Sequence, residues 1–323
     1  MATDVTLRVV APTATAGNAL DRAEQVFHDV ERACTRFEPT SPLMRANARP
    51  RGWHEVPPEL YDAVAAAHQA YEETGGLFDP RVLEVLRSWG YDRSLPFRDG
   101  PVSLAAPAAA GAGRPHRTAH PWARGTRTPP APGRRPWRPA FDAARRAVRL
   151  GGSPIDLGGI GKGLAVRWAS LALAGAGAAT LVEAGGDVQT TGPGPEGTGW
   201  RIAVEDPRGG PDPVAVLGVE DAACATSSVR LRQWRVGGRP VHHLVDPRTG
   251  EPGGRGLLAV TVVGPDPARA EVWSKALFLA GRGRVRSLAD ERGLAVLLVD
   301  EDGVVGTSRG MKEHLLWQAP RGW

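Results

Sequence analysis

The sequence predicts a mixed α+β protein. Short runs with the pattern of β-strands are interleaved with longer segments whose apolar residues have helical spacing. Hydrophobic residues make up 41% and charged residues 23% of the 323 positions, which is close to the average of globular proteins. A chain of this length forms about two domains or one large two-lobed domain. A fibre, a mini-protein and a wholly disordered chain are therefore excluded.

Helical spacing occurs in four segments. In the first, apolar residues follow one another at steps of three and four residues, which predicts an amphipathic helix over 16–37. A second helix is predicted over 58–74, where Gly75 and Gly76 supply a left-handed stop. Two further helices are predicted over 162–175 and 267–280.

Strand patterns lie mostly in the second half of the chain. They predict strands over 180–183, 200–205, 257–263 and 294–299, and a strand followed by a turn over 141–150. Residues 93–139 differ, because Ala, Pro, Gly and Arg dominate there without any apolar period. We predict a disordered insertion over this segment. Its arginines are interpreted as a solvated tether, with a docking arm for a partner as the alternative.

Charge and cysteine content bear on partners and compartment. The formal net charge is +5, but only three of the 40 basic residues are lysines, a skew typical of GC-rich coding. No basic stripe with interleaved aromatic residues occurs, so nucleic-acid binding is not predicted, whereas an anionic ligand is compatible. We expect Cys34 and Cys224 to be buried free thiols. Without a signal peptide, a lipoprotein cysteine or an apolar run of about 18 residues, we expect a cytoplasmic protein with no membrane span.

The densest chemical signal is a glycine-rich turn before the third helix. Residues 156–163 have the sequence Asp-Leu-Gly-Gly-Ile-Gly-Lys-Gly, which matches neither a Walker A loop nor GxGxxG. Glycines let a ligand approach the backbone, and a helix N-terminus with Lys162 favours an anion such as phosphate. The alternative is a structural turn with a solvated lysine. Because lysines are so scarce, we favour a functional Lys162.

A second constellation is a strand that ends in an Asp-Pro-x-Thr-Gly turn. Strand alternation sends His243 and His242 to opposite faces, so the two rings have different environments. A histidine at a strand end beside Asp246 could serve as a base or a ligand, and a surface histidine pair with a capping aspartate is the alternative.

The remaining constellations are weaker. Gly185, Gly186 and Asp187 follow a strand, and Phe78 and Asp79 follow a double glycine, as in ordinary turns. On the last predicted helix, Glu271 and Lys275 have the spacing of an exposed i,i+4 ion pair. Four carboxylates would suit Mg²⁺ with phosphate if they met, although spacing alone does not bring them together: Asp156, Asp187, Asp246 and Glu271.

Six motifs, in this order, resemble the FAD:protein FMN transferase (ApbE) family. They are Arg36-Phe37-Glu38-Pro39-x-Ser41 with Leu43 and Asn47, Thr74-Gly75-Gly76-x-Phe78-Asp79-Pro80 with Trp89-Gly90, Asp156-Leu157-Gly158-Gly159-x-x-Lys162-Gly163, Gly185-Gly186-Asp187, His243-x-x-Asp246-Pro247-x-Thr249-Gly250, and Ala270-Glu271 with Ala276-Leu277. They cover most of the chain apart from the insertion. The resemblance implies one family domain over 1–323, interrupted by 93–139, with a flavin-binding cleft between two lobes.

The implied activity is a transferase reaction that uses FAD and Mg²⁺. FAD is cleaved, FMN is attached by a phosphoester bond to a threonine of a target flavoprotein, and AMP leaves. This is a protein flavinylation, that is, a post-translational modification. Some members hydrolyse FAD to FMN and AMP instead. Glycine turns, a lysine and a metal suit such chemistry, because phosphoryl transfer depends on positioning and charge neutralisation.

The resemblance also implies roles for individual residues. Lys162 and the turn from Gly158 to Gly163 would face the phosphates, and His243 would act as a base or orient the reacting hydroxyl. The resemblance implies catalytic roles for His243 and Lys162. Residues implied to bind the cofactor are Phe78, Asp79, Asp156, Gly158, Gly159, Gly161, Lys162, Gly185, Gly186, Asp187, His243, Asp246 and Thr249. The resemblance implies metal binding at the positions of Glu271, Gly159 and Lys275.

Several positions depart from the family pattern. Many members have Asp and, four residues later, Thr as metal ligands, where this chain has Glu271 and Lys275. A protonated lysine does not bind a cation, so it would repel the metal or replace it against the pyrophosphate. Leu164, Arg167 and Glu183 also replace residues common in the family. Two alternatives follow: an FAD-binding protein without turnover and an FAD pyrophosphatase. A basic scaffold or nucleic-acid-binding protein is a third.

Overall fold

The computed structural model describes residues 3–97, 102–104 and 135–319. Helices and strands both occur throughout these ranges, and the predicted α+β class is confirmed. The helices of the described residues are α1 (Ala16–Cys34), α2 (Pro42–Ala48), α3 (Pro58–Glu73), α4 (Leu83–Ser88), α5 (Gly161–Ala172), α6 (Pro267–Ala280), α7 (Arg282–Glu291) and a 3₁₀ turn (Arg309–Glu313).

The strands form a large sheet and several small ones. The strands of the first half are β1 (Val5–Pro12), β2 (His54–Glu55), β3 (Val102–Leu104), β4 (Ala140–Asp142), β5 (Ala147–Arg149), β6 (Gly177–Ala184), β7 (Asp187–Thr191), β8 (Trp200–Val204) and β9 (Ala215–Val219). The later strands are β10 (Ala223–Ser228), β11 (Gln233–Val236), β12 (Arg239–His242), β13 (Val245–Asp246), β14 (Glu251–Pro252), β15 (Leu257–Gly264), β16 (Ala295–Asp300), β17 (Val305–Thr307) and β18 (Leu315–Gln318).

A seven-stranded antiparallel sheet organises the site. Its strand order is β1-β6-β7-β10-β15-β16-β17. Alternate residues of β15 enter different cores: Val260 and Val262 pack with α6 and α7, whereas Ala259 and Val263 pack with the small sheet β8-β9-β18. This period of two is what a strand buried on both faces requires. Helices therefore cover one face of the sheet and a second sheet covers the other.

Helix α6 is buried almost all round. It lies between the large sheet and α5, and its buried residues include Glu271 and Ser274 as well as its apolar side chains. A helix that lacks a polar face has to be enclosed by other elements. Glu271 and Lys275 are therefore held inside the protein, whereas Arg269, also on α6, is exposed.

Helix α1 ends three residues before the predicted boundary. Thr35 already has an extended backbone, and the next residue, Arg36, is buried against Asp156. This tertiary ion pair draws Arg36 out of the helix and leaves Phe37 39% exposed. The expected burial of both cysteines holds for Cys224, but Cys34 is only half-buried.

The segment predicted as an insertion lies largely outside the described residues. Within 93–139 the structure describes 93–97, 102–104 and 135–139. Val102–Leu104 pairs with β11 in parallel, and the Trp137 side chain is fully buried and donates from Nε1 to the carbonyl oxygen of Leu150 at 2.8 Å. These two parts of the segment are thus ordered, contrary to the expectation for their residues. For the rest of it, disorder stays a prediction.

Candidate functional site

The glycine-rich turn leads directly into α5, as the sequence predicts. Gly163 lies where α5 crosses the start of α6: a Cβ atom there would be 2.6 Å from both the Cα of Ala268 and the carbonyl oxygen of Pro267. Such distances are far below a normal van der Waals contact, so only glycine allows the two helices to approach so closely. This close crossing brings the side chain of Glu271 to the N-terminus of α5, where Gly163 N–H donates to Oε2 at 2.8 Å.

Four charged side chains meet at this crossing, and we call them the lysine–carboxylate cluster: Lys162, Asp187, Glu271 and Lys275. Lys162 Nζ donates to Glu271 Oε1 at 2.9 Å and also contacts Asp187 Oδ2. Lys275 Nζ donates to the same Oε1 at 3.0 Å. The carboxylates are 1% exposed and the lysine side chains 14% and 13%. The alternatives of a solvated Lys162 and an exposed Glu271–Lys275 pair are therefore wrong.

Burial and mutual attraction set the electrostatics of this cluster. For Glu271 the cost of burial is outweighed by Lys162, Lys275 and the Gly163 N–H, and its pKa is lowered. Burial raises the pKa of Asp187, since Lys162 offsets only part of the desolvation. Burial also dominates at Lys275 and lowers its pKa. At Lys162 the two carboxylates outweigh burial, and its pKa is raised. The cluster thus contains a firmly ionised Glu271–Lys162 pair.

A tight hairpin places Asp187 in the cluster. β6 and β7 are joined by Gly185 and Gly186, whose φ values of +55° and +86° are those of a type I′ turn. A Cβ on Gly185 would also collide with Oγ1 of Thr3 at 2.2 Å. Asp187 begins β7 and points inward, with Oδ1 buried and without a hydrogen-bond partner among the described residues. The two glycines therefore shape the turn, and Asp187 faces the lysines.

His243 and His242 have different neighbours, as strand alternation predicts. The His242 ring packs edge-on to Phe278, with centroids 6.1 Å apart. His243 lies beside Arg232, and its Nδ1 is 3.3 Å from the Arg232 carbonyl oxygen. Burial first, and then the charges of Arg232 and Lys275, lower the pKa of His243 well below its usual value. His243 is therefore neutral, and it lies close enough to the cluster for the charge of Lys275 to act on it.

The Asp156 end of the glycine turn is attached to two other motifs. Asp156 pairs with Arg36 at 3.3 Å, and its N–H donates to the Pro80 carbonyl oxygen at 2.7 Å. The Arg36 guanidinium lies over the rings of both Phe37 and Tyr91, 4.2 Å from each centroid. Asp156 also accepts from Gly158 N–H at 2.8 Å. The conformation of the turn is therefore fixed by Asp156.

Phe78 lies on the other side of the turn. A Cβ on Gly159 would be 3.0 Å from Phe78 Cε2, and 3.4 and 3.5 Å from Cδ and Cε of Lys275. The structure thus brings Phe78, Gly159, Lys275 and Glu271 together. Glycine at 159 keeps the space between the aromatic ring and the lysine stem free of a side chain.

Asp79 and Asp246 occupy two copies of one local motif, Asp-Pro-Arg. In each, the arginine two residues later donates from its guanidinium to both carboxylate oxygens: Arg81 to Asp79 at 3.0 and 2.8 Å, and Arg248 to Asp246 at 2.9 and 2.8 Å. These bidentate pairs hold the turns in shape. Asp246, like Asp156, is thus occupied by its own arginine, and the four carboxylates considered for Mg²⁺ do not gather at one point.

Asp246 and Thr249 lie away from the cluster. Arg248 donates to the Leu279 carbonyl oxygen at 3.3 Å, and Leu279 is about 12 Å along α6 from Glu271 at the usual helical rise. Thr249 is exposed, and its Oγ1 accepts from Glu251 N–H at 3.2 Å. Gly161 belongs to the first turn of α5 with open space around it.

The donor set of the cluster does not fit a divalent cation. Mg²⁺ demands about six oxygen ligands in near-ideal octahedral geometry. Here Glu271 Oε1 accepts from two ammonium groups and Oε2 from a backbone N–H, so Asp187 Oδ1 is the cluster's one carboxylate oxygen without a hydrogen bond among the described residues. In the described ranges, no three His, Cys, Asp or Glu side chains are arranged to hold a metal ion.

The sequence did not predict one participant, Arg232, or the burial of the Glu271–Lys275 pair. Arg232 contributes positive charge that acts on both Lys162 and His243, and nothing in its sequence context marks it. Burial of the Glu271–Lys275 pair did have a signal, because residues 267–280 lack a polar face.

Of the described residues, none form a helix long and apolar enough to cross a bilayer.

Comparison with known families agrees with the order of the motifs. A family model described as the ApbE family matches residues 1–298. The chain belongs to the ApbE family. The predicted resemblance is thereby confirmed, and the lysine–carboxylate cluster is a feature of an ApbE-family protein.

Curated relatives are similar over part of their length. The FAD:protein FMN transferase of Escherichia coli (strain K12) is 28% identical over 151 residues, which are 46% of this chain and 43% of that protein. The FAD:protein FMN transferase of Rhodobacter capsulatus is 29% identical over 291 residues, 82% of this chain and 51% of that protein. The chain therefore spans about half the length, or less, of these relatives.

Solved structures have the same fold over nearly the whole chain. The ApbE protein of Thermotoga maritima has a TM-score of 0.73 and 26% identity, covering 96% of this chain and 97% of that one. The apo form of the Pseudomonas stutzeri flavinyl transferase ApbE has a TM-score of 0.72 and 22% identity, with 96% of both chains covered. The second similarity supports the fold alone.

Proposed function

We propose that this chain is an FAD:protein FMN transferase. It takes FAD as its substrate, attaches FMN through a phosphoester bond to a threonine hydroxyl of a target flavoprotein, and releases AMP. Membership of the ApbE family and the names of the curated relatives support this activity. The residues at the α5–α6 crossing supply the chemistry that it requires.

The observation that carries the proposal is the pair of lysines on Glu271. A lysine ammonium has three N–H donors. Among the described residues, Lys162 uses two of them, for Asp187 and Glu271, and Lys275 uses one, for Glu271. The lysine side chains are 14% and 13% exposed and Gly158 in the adjoining turn is exposed, so a ligand can reach the remaining donors. They are available to the oxygens of a pyrophosphate, and the carboxylates hold them in place.

The turn from Gly158 to Gly163 allows the phosphates to approach the backbone. Phe78 is buried beside Gly159, and we assign it the role of supporting this turn. Asp156, Asp79 and Asp246 act by holding their loops through arginine pairs, and we assign them positioning roles. Gly185 and Gly186 aim Asp187 at Lys162. Thr249 also has a positioning role, because its Oγ1 accepts from Glu251 N–H within its turn.

His243 is the group that we assign as the base. Because a carbonyl oxygen only accepts, the contact with Arg232 places the ring proton on Nδ1. The lone pair of Nε2 is then free to take the proton of an acceptor hydroxyl as it attacks the flavin-side phosphorus. The lowered pKa of His243 keeps this nitrogen unprotonated at neutral pH.

The two cysteines bear on the compartment in which the protein acts. Unpaired Cys34 and Cys224 are compatible with a reducing compartment, and we propose that the protein acts in the cytoplasm.

The Mg²⁺ that the family resemblance implies is not part of this mechanism, since the donor set of the cluster does not fit it.

An incubation with FAD tests the proposal. Purified protein is mixed with FAD, with or without a threonine-bearing acceptor domain, and AMP is followed by chromatography while the acceptor is weighed by mass spectrometry. A transferase yields AMP and FMN-bearing acceptor together. AMP without acceptor identifies the FAD pyrophosphatase. Bound but intact FAD in every tube identifies a binding protein without turnover, and either result overturns the proposal.

A further inference from the structure

We propose that the ammonium group of Lys275 takes the place of a divalent cation at the FAD pyrophosphate, so that cleavage of FAD by this chain needs no divalent metal. This inference rests on the proposed function and deepens it. It concerns what neutralises the leaving phosphate.

The side chain of Lys275 fills the space that a metal ion would need. The three positions to which the resemblance assigns metal binding, Gly159, Glu271 and Lys275, do lie together. The stem of Lys275 passes beside Gly159: a Cβ added there would be in van der Waals contact with Lys275 Cδ and Cε, at 3.4 and 3.5 Å. Its Nζ ends 3.0 Å from Glu271 Oε1. The lysine side chain therefore occupies the volume between the glycine turn and the carboxylate.

Glu271 has no carboxylate oxygen left for a metal ion. Both of its carboxylate oxygens are engaged, Oε1 by the two ammonium groups and Oε2 by Gly163 N–H. A metal ion would have to displace a lysine and would then stand next to a like charge. Asp187 Oδ1, buried and without a hydrogen bond among the described residues, is a single oxygen and does not make a ligand set.

The charges around the cluster favour an anion over a cation. Within the cluster two lysines balance two carboxylates, and Arg232 adds a positive charge close enough to act on Lys162 and His243. The neighbourhood is therefore complementary to an anion. Lys275 has two ammonium N–H groups left after its bond to Glu271, so it can hold Glu271 and a phosphate oxygen at once.

The reaction then balances without a metal. The acceptor hydroxyl oxygen forms a bond to the flavin-side phosphorus, and the bond from that phosphorus to the bridging oxygen breaks. The bridging oxygen leaves with AMP, and Lys275 neutralises the negative charge that develops on it. The hydroxyl proton goes to Nε2 of His243. The products are acceptor-bound FMN and AMP, and no oxidant or reductant is required.

The test compares the wild type with Lys275→Thr, Lys275→Gln and Lys312→Thr. Gln keeps most of the stem that packs on Gly159 but carries no charge. Lys312 is exposed and lies in the 3₁₀ turn, away from the cluster, so its variant is the matched control. AMP release from FAD with acceptor is measured in EDTA and across a Mg²⁺ titration.

We expect the wild type and Lys312→Thr to release AMP equally well in EDTA and in Mg²⁺. Lys275→Gln should lose about 100-fold in kcat under both conditions, as when one preorganised donor is removed from a transition-state site. Lys275→Thr should be inactive in EDTA and regain activity with Mg²⁺, because its hydroxyl can bind the ion and Glu271 Oε1 then keeps a single ammonium partner, Lys162. Loss of wild-type activity in EDTA, restored by Mg²⁺, overturns the inference.

Calorimetry separates this inference from the proposed function. Mg²⁺ is titrated into each variant with FAD bound, which requires no turnover. We expect no Mg²⁺ binding by the wild type and one-site binding by Lys275→Thr. Stoichiometric binding by the wild type refutes the role of Lys275, even if AMP release confirms the transferase. Absence of AMP in all tubes refutes the transferase alone.

Discussion

Lys275 lies one helical turn after Glu271 on α6, and its Nζ is 3.0 Å from Glu271 Oε1 inside the protein. The same spacing on an exposed helix contributes only a few tenths of a kcal/mol. Here the pair is buried, it is shared with Lys162, and it lies against the glycine turn. The position of Lys275 is therefore defined by tertiary contacts, and its ammonium is part of the candidate site.

The first prediction concerns the close crossing of α5 and α6. Gly163→Ala should destabilise the protein by about 1–3 kcal/mol, because the new Cβ meets backbone atoms of Pro267 and Ala268 at 2.6 Å. Gly161→Ala, two positions earlier, has open space and is the matched control. It should be neutral or stabilise the helix by a few tenths of a kcal/mol. Urea unfolding measures both, and equal stability of the two variants would refute the contact.

The second prediction compares the two Asp-Pro-Arg turns. Arg81→Ala should cost about 3 kcal/mol, because it leaves the buried Asp79 carboxylate without its bidentate partner. Arg248→Ala should cost about 1 kcal/mol, since Arg248 is 34% exposed and water can replace it. Thermal and urea unfolding of the two variants give the comparison. A larger loss for Arg248→Ala would contradict the ranking by burial.

The third prediction is a pH dependence of stability. Burial lowers the pKa of His242 to about 4, so between that value and 6.5 the native state binds fewer protons than the unfolded state. The free energy of unfolding therefore rises with pH across this window, and acidification from pH 7 to 5 removes an amount on the order of 1 kcal/mol that is due to His242.

His242→Gln should flatten this part of the stability profile, and His28→Gln, at an exposed position on α1, should not. The slope is measured by urea unfolding at intervals between about pH 4.5 and 7. This range covers most of the window in which the protonation of His242 differs between the native and unfolded states. An unchanged slope in His242→Gln would show that other groups cause the acid loss.

The regular elements were predictable from local patterns. Pro267–Ala280 agrees with its predicted bounds, and β15 and β16 lie within one residue of theirs, because their periodicity follows directly from burial. The end of α1 was predicted three residues late, since the contact of Arg36 with Asp156 depends on residues far apart in the chain. Such long-range ion pairs leave no periodic signal.

The candidate site was predictable in its members but not in its connections. The sequence singled out Lys162, Asp187, Glu271 and Lys275, and the structure joins these four. The sequence did not show that Asp156 and Asp246 form ion pairs with arginines, because it does not reveal which charges pair across the fold. No sequence pattern around Arg232 predicted that it lies near the site.

The most direct test of the phosphate site is the affinity for FAD of Lys162→Ala, with Lys312→Ala as control. Lys162 contacts both carboxylates of the cluster, whereas Lys312 is exposed in the 3₁₀ turn. Quenching of flavin fluorescence on titration with protein gives the dissociation constants. We predict that Lys162→Ala weakens binding by about tenfold or more, as loss of a charged hydrogen bond does, and that Lys312→Ala does not change it. Equal affinities of the wild type and Lys162→Ala would contradict the assignment of this cluster as the site for FAD.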